Sequence, residues 1–115
     1  MLMTVPELIA KVREELRLLD AATAMTECAD KSGVVIDVRE PGEVQAKPAE
    51  GSINIPRGVL EMMMLEKFKE PGHPIYIHCA SGVRATLAAE QLHRLGYDDV
   101  TVITCGIDDV CKAQS

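Results

Sequence analysis

The sequence predicts an α/β fold, in which a small parallel sheet has helices on both faces. Short runs rich in valine and isoleucine alternate along the chain with longer stretches whose apolar residues recur at helical spacing. The short runs do not alternate apolar with polar residues, which is typical of strands buried on both faces. Because helix-length segments separate the strands, we expect right-handed parallel crossovers between them.

An amphipathic helix is predicted at the start of the chain, over residues 5–17. Thr4 can cap this helix, and Glu7 follows three residues later, as in a capping box. Leu8 and Val12 begin an apolar stripe at helical spacing, with charged residues between its members.

The other elements follow from apolar runs and from the residues that end them. Glycine or proline stands after several runs, as at Gly33, Pro56 and Gly96. The predicted strands are, in chain order, 18–19, 33–38, 52–55, 75–77 and 100–103. The later predicted helices are 21–30, 58–69, 83–95 and 107–113. The methionine run 62–64 is expected to pack in the core.

Composition limits the possible function classes. The 115 residues suffice for one domain, and with no Trp and one Phe its core must be aliphatic. The 12 basic and 18 acidic residues give a net charge of −6, which argues against binding to nucleic acid or to an anionic membrane surface. No window approaches the ~20 apolar residues of a membrane span. Charged residues near the N-terminus interrupt any signal-peptide segment, so a cytoplasmic protein is expected.

The four cysteines, Cys28, Cys79, Cys105 and Cys111, are expected to be thiols. A disulfide framework is typical of oxidising compartments rather than of the cytoplasm. Because the cysteine spacings match no zinc motif, no metal site is expected.

Cys79 stands where chemistry is expected in this fold. It follows a predicted strand, and ligand sites in parallel sheets lie past the carboxyl ends of the strands. The small residues after it and Gly82 allow backbone N–H groups to turn towards one point. The next helix adds the positive end of its dipole, so a Cys79 thiolate is stabilised as a nucleophile. From Cys79 alone, a buried structural cysteine is the alternative interpretation.

This loop resembles that of the single-domain rhodaneses, a family of thiosulfate and persulfide sulfurtransferases. Its sequence, Cys79-Ala-Ser-Gly82-Val-Arg84, is similar to the six-residue active-site loop of the family, commonly C-x-x-G-x-R. Segments 35–41, 51–56 and 95–100 resemble further family segments in the same order. The resemblance implies a rhodanese-like three-layer fold over residues 18–115, with residues 1–17 as an N-terminal helical extension.

The C-terminal part departs from the family pattern. Cys105 replaces a family glycine, and Val110 replaces a residue that is usually aromatic. A histidine that usually precedes the 51–56 segment is also missing. These departures bear on the stability of that edge of the domain more than on the chemistry. Cys105 could be a second thiol that pairs with Cys79 or relays sulfur, or simply an inert buried residue.

The resemblance implies a sulfurtransferase whose catalytic residue is Cys79. Cys79 would accept a sulfane sulfur from thiosulfate or a persulfide and pass it to a thiol or protein acceptor, or to cyanide in vitro. No cofactor is expected, and the sequence leaves the oligomeric state open. The N–H groups of the active-site loop would hold the persulfide, and its residues are Ala80, Ser81, Gly82, Val83 and Arg84.

The charged residues around this loop have supporting roles in this interpretation. Arg84 either reaches the donor or, as we favour, braces the loop by pairing with a carboxylate such as Asp37. Arg39 is interpreted as a structural ion-pair partner that closes its own turn. His78 is interpreted as a core histidine that faces away from Cys79.

Two other function classes stay open. Cysteine phosphatases and arsenate reductases also have an amide cradle and a closing Arg, but they place one residue more between the Cys and the Arg. The shorter loop here makes a smaller bowl, which suits a persulfide better than a tetrahedral oxyanion. A non-catalytic rhodanese-like binding or regulatory module is the other alternative, although such modules usually lose the cysteine.

Overall fold

A computed structural model describes residues 1–115, and it contains one sheet of five parallel strands. The strands are β1 (Arg17–Leu19), β2 (Val34–Asp37), β3 (Ile53–Asn54), β4 (Ile75–His78) and β5 (Val100–Ile103). The helices are α1 (Val5–Arg13), α2 (Ala21–Lys31), α3 (Pro41–Ala46), α4 (Leu60–Lys67), α5 (Val83–Leu95) and α6 (Ile107–Gln114), and a short 3₁₀ turn at Arg57–Val59 leads into α4. The predicted α/β class and the predicted N-terminal helix are confirmed.

Strand β4 lies at the centre of the sheet, whose order is β1-β5-β4-β2-β3. Ile77 pairs with Ile36 of β2 on one side and with Val102 of β5 on the other. Every residue of β4 is buried. Since all the strands are parallel, their carboxyl ends meet at one edge, and the residue after β4 has neighbours on both sides there.

Two hydrophobic clusters cover the two faces of the sheet. The larger contains Ile36 and Ile77 together with Leu60 of α4 and Leu92 of α5. The smaller cluster, on the opposite face, joins strand residues to α2 and α6, and its members are Ala21, Ala24, Cys28, Val35, Tyr76, Ile103 and Val110. Consecutive strand residues point to opposite faces. The continuous apolar runs in the sequence therefore fill two cores at once. The prediction of a purely aliphatic core is wrong, because Tyr97 is buried in the larger cluster and Tyr76 in the smaller one.

Helix α3 is absent from the predicted elements. Its six residues include none that is buried, so no apolar periodicity marks it. Local chemistry stabilises it instead, because Pro41 occupies the first turn and Glu40 and Glu43 form a capping box. A search for apolar stripes cannot detect such a helix.

Two further predictions need correction. Helix α1 ends at Arg13 rather than at residue 17, because the chain turns there to enter β1. Of the methionine run, only Met64 is fully buried, whereas Met62 is 67% exposed. Consecutive residues in a helix point in different directions, so three adjacent methionines cannot all face the core.

None of the helices combines the length and the apolar character needed to cross a membrane.

We predict that Ile36→Ala lowers the free energy of unfolding by about 2–5 kcal/mol, since Ile36 is fully buried in the larger cluster. Ile53→Ala is the control, because this side chain on β3 is 43% exposed and its removal is expected to cost less than about 1 kcal/mol. Urea unfolding of both variants measures the difference. Equal losses would contradict the assignment of Ile36 to the core.

Candidate active site

Cys79 lies directly after β4, beneath the start of α5. Its side chain belongs to the larger hydrophobic cluster, and the residue is 1% exposed. The sulfur nevertheless has polar partners, because the N–H of Gly82 lies 3.1 Å from Sγ and the N–H of Ala85 lies 3.4 Å from it. Both groups donate to the sulfur. Partial positive charge therefore faces Sγ from two backbone amides at a helix N-terminus.

Gly82 produces this turn. Its backbone is left-handed, with φ of +98°, and it is the cap residue from which α5 begins. A residue with a side chain is strained in that conformation. The carbonyl of Gly82 accepts the first hydrogen bond of the helix, from the N–H of Thr86 at 3.0 Å. One glycine thus starts α5 and directs an N–H group at the sulfur.

Ala80, Ser81 and Val83 of the loop form no hydrogen bond with the sulfur. The carbonyl of Ala80 accepts a hydrogen bond from the N–H of Ile107 at 3.0 Å, which anchors the loop to the start of α6. Ser81 is exposed, and Val83 is half-buried. Both line a cleft of about 330 Å³ between the loop and α1.

Arg84 braces the loop, but its partner is Glu43 rather than Asp37. Its two terminal nitrogens donate to the two Glu43 carboxylate oxygens at 2.6 and 2.9 Å. This bidentate pair joins the first turn of α5 to α3. The Arg84 guanidinium lowers the pKa of Glu43 to about 2. The suggested pairing with Asp37 is wrong, because Arg39 already occupies that carboxylate.

Asp37 and Arg39 form a buried ion pair at the end of β2. The side chains are 1% and 3% exposed, and Arg39 donates to both Asp37 oxygens through Nε and Nη2, at 2.8–3.1 Å. Hydrogen bonding to Asp37 raises the pKa of Arg39. Arg39 also donates to the carbonyl of Lys47 at 2.9 Å, just beyond α3. The Asp37–Arg39 pair therefore holds the helix that carries Glu43.

His78 faces away from Cys79, on the side of the smaller cluster. Its ring is fully buried, and Nε2 lies 2.7 Å from the Ser52 hydroxyl, which also accepts a hydrogen bond from Gln114 at 2.8 Å. Nδ1 has no hydrogen-bond partner and lies 4.0 Å from Asp37. Burial lowers the pKa of His78, so the ring is neutral at physiological pH. Its position on the opposite face excludes direct proton transfer with the sulfur.

The structure does not bring Cys105 and Cys79 together. Cys105 packs against the smaller cluster, on the opposite face of the sheet from Cys79, and its sulfur accepts a hydrogen bond from the N–H of Ala21 at 3.2 Å. All four cysteines are free thiols. A direct bridge between these two sulfurs would require the chain to rearrange.

Sequence reasoning missed three contributors to the site: Arg13, Glu43 and Thr86. Arg13 reaches the loop from α1, and Thr86 lies fully buried beside it. The capping pattern of Glu40 and Glu43 could have indicated α3, but nothing in the sequence indicates which arginine pairs with Glu43. No three His, Cys, Asp or Glu side chains come together in an arrangement that could hold a metal ion.

Comparisons with known proteins point to one family. The family model of the Rhodanese-like domain matches residues 18–113. A curated relative from Schizosaccharomyces pombe, named "Putative thiosulfate sulfurtransferase, mitochondrial", is 38% identical, and the match covers 62% of this chain and 58% of that protein. The matched part is thus less than two thirds of that relative.

Solved structures show the same fold at lower identity. A Rhodopseudomonas palustris protein of unknown function, described as a possible tyrosine phosphatase, has a TM-score of 0.80 at 23% identity over 98% of this chain and 92% of its own. A human single-domain sulfurtransferase has a TM-score of 0.69 at 18% identity over 85% and 97%, respectively. At these identities the likeness shows the fold and not the reaction.

We predict that Asp37→Asn lowers the free energy of unfolding by about 3–5 kcal/mol, because it leaves the buried Arg39 guanidinium without a counter-charge. Asp99→Asn is the matched control. It breaks a pair with Lys31 that is partly exposed, and it is expected to cost less than about 1 kcal/mol. Denaturant unfolding compares the two, and equal losses would contradict the role given to the buried pair.

We predict that Glu43→Gln destabilises the fold in a pH-dependent way. The pKa of Glu43 is lowered in the folded state, so its ion pair stabilises above the ordinary carboxyl value near 4.5 and is lost as pH falls towards about 2. Because the Glu43 side chain is 38% exposed, the expected difference from wild type at pH 7 is only about 0.5–1 kcal/mol.

The measurement is the free energy of unfolding at pH 7 and at pH 3. The difference between wild type and Glu43→Gln should shrink at the lower pH. Glu66→Gln is the control, because Glu66 is exposed and forms no ion pair. A difference that stays constant between the two pH values would refute the ion-pair explanation.

Proposed function

Because the chain belongs to the rhodanese-like family, a sulfurtransferase family, we propose that it transfers a sulfane sulfur through a persulfide on Cys79. The donor is thiosulfate or another persulfide, and the acceptor is a thiol on a small molecule or a protein. The observation that carries the proposal is the pair of N–H groups, from Gly82 and Ala85, that donate to the Cys79 sulfur.

The first half-reaction loads the enzyme. The Cys79 thiolate attacks the outer sulfur of thiosulfate, the sulfur–sulfur bond of thiosulfate breaks, and sulfite leaves with the bonding electron pair. The product is a Cys79 persulfide, whose terminal sulfur carries the negative charge. Backbone N–H groups at the start of α5 would lie close to that charge and stabilise it, because those of Gly82 and Ala85 point at the Cys79 sulfur to which the terminal sulfur is bonded.

The second half-reaction returns the thiolate. An acceptor thiolate attacks the terminal sulfur of the persulfide, and the Cys79 sulfur leaves with the electron pair of the broken bond. Cyanide takes the same role in an assay and becomes thiocyanate. Since the two substrates react in turn with one covalent intermediate, the kinetics are ping-pong. The bond changes balance without a metal or an organic cofactor.

The ion pairs of Arg84 and Arg39 bear on how an anionic donor would be bound. Arg84 is paired with Glu43 and Arg39 is paired with Asp37, so neither is an unpaired cation beside the sulfur. An anionic donor therefore depends on backbone N–H groups more than on these two side chains. Expectations on partners and on a cytoplasmic location stay predictions, and the S. pombe relative is named as mitochondrial.

Cysteine phosphatase activity is the second candidate, since the R. palustris structure carries that description. The chain places four residues between Cys79 and Arg84, one fewer than those enzymes. Arg84, which stands where the closing arginine of those enzymes would be expected, is turned to Glu43. Both observations favour sulfur transfer.

We predict that incubation with thiosulfate, followed by desalting, adds one sulfur to the intact mass, about 32 Da, and that cyanide removes it. Cys79→Ser should show no gain. Cys105→Ser is the matched control and should keep the gain, because its sulfur lies on the other face of the sheet.

Other outcomes separate the alternatives. A gain that Cys105→Ser abolishes would contradict the assignment to Cys79. No gain and no thiocyanate production would refute the transferase proposal, and hydrolysis of p-nitrophenyl phosphate would then distinguish a phosphatase from a binding module.

A further inference from the structure

Arg13, the last residue of α1, contacts the active-site loop from outside the part of the chain that matches the family model. Its Nε donates to the Thr86 hydroxyl at 3.0 Å, and its Nη2 donates to the Gly82 carbonyl at 3.4 Å. Arg13 is half-buried and forms no ion pair. It therefore differs from Arg39 and Arg84, whose charges are matched by carboxylates.

The carbonyl that Arg13 contacts belongs to the same residue whose N–H faces the sulfur. The Gly82 carbonyl accepts hydrogen bonds from the N–H of Thr86 at 3.0 Å, from the Thr86 hydroxyl at 2.7 Å and from Arg13. The N–H of the same Gly82 lies 3.1 Å from the Cys79 sulfur. The carbonyl and the N–H of Gly82 belong to the two peptide planes that meet at its Cα. Bonds that hold the carbonyl therefore limit the rotation between those planes at a residue whose backbone is otherwise unusually free.

Helix α1 is held in place for this contact. Ile9 is buried against the domain, and α1 packs along α5. The close fit is visible at Gly82, where an added Cβ would lie 2.8 Å from the Arg13 guanidinium. Arg13 also lines the cleft of about 330 Å³ that separates α1 from Ser81 and Val83. The guanidinium is thus fixed beside the loop rather than extended into solvent.

We propose that Arg13 is a positioning residue for Cys79: it fixes Gly82 so that its N–H points at the sulfur, and it places an unpaired positive charge beside the loop. Both effects favour the thiolate over the thiol. The consequence for turnover rests on the proposed sulfurtransferase function. The effect on the thiolate does not, because it precedes any reaction with a donor.

The test is the rate at which iodoacetamide alkylates Cys79, measured against pH and followed by mass mapping of the peptide that contains Cys79. We expect Arg13→Gln to lower this rate about three- to tenfold at pH 7 and to shift the rate–pH profile to higher pH. Lys11→Gln is the matched control. It removes one positive charge from the exposed face of the same helix and should leave the profile unchanged.

Arg13→Lys separates charge from geometry. The lysine keeps the positive charge, but it lacks the two guanidinium nitrogens with which Arg13 reaches Thr86 and Gly82 at once. We therefore expect only partial recovery of the rate. Full recovery would overturn the positioning role, and so would an Arg13→Gln profile equal to that of Lys11→Gln. If Arg13→Gln fails to fold, Thr86→Val is the second variant. It removes the hydroxyl that accepts a hydrogen bond from Arg13 and donates one to the Gly82 carbonyl, so it should shift the profile in the same direction.

These outcomes are independent of sulfur transfer. A wild-type protein that gains no sulfur from thiosulfate, yet shows the Arg13-dependent alkylation profile, would refute the proposed function and leave the positioning role intact. A protein that gains the sulfur, but whose alkylation profile does not depend on Arg13, would support the proposed function and refute the positioning role.

Discussion

The burial of strand β4 on both faces sets the position of Cys79. Two strands bond to β4 and two hydrophobic clusters cover it, so it cannot shift along the sheet without exposing Ile77 or Tyr76. Its carboxyl end is therefore a fixed point of the fold. Cys79 stands at that point, and Gly82 turns the chain above it into α5. The rigid strand and the left-handed glycine together bring two N–H groups to the sulfur.

Three arginines surround this point, and their different partners explain their different roles. Arg39 is buried with Asp37 and holds the end of α3, which in turn presents Glu43 to Arg84. This chain of contacts links β2 to the first turn of α5 and leaves both cations neutralised. Arg13 has no carboxylate partner and meets the loop from α1. The positioning role proposed for Arg13 thus rests on a helix that the family match does not include.

The two faces of the sheet separate the Cys79 thiol from the other polar groups at the same edge. Cys79 belongs to one cluster, whereas His78 and Cys105 lie on the side of the other. His78 therefore cannot take a proton directly from the Cys79 sulfur. The polar partners of the sulfur are instead backbone N–H groups at the start of α5, an arrangement that suits the nucleophile of the proposed reaction.

The amino-acid sequence alone determined the α/β class, the strand that ends at Cys79 and the family resemblance, because apolar runs, caps and loop motifs are local patterns.

Only the tertiary structure decided which charges meet. The pairing of Arg84 with Glu43 depends on α3. This helix is stabilised by capping and contains no buried residue, so no apolar stripe marks it in the sequence. The contact between Arg13 and Gly82 joins residues far apart in the chain. The separation of Cys105 from Cys79 depends on the alternation of side chains across the sheet and on how the last strand joins it. Long-range contacts of this kind follow from packing, which no local pattern records.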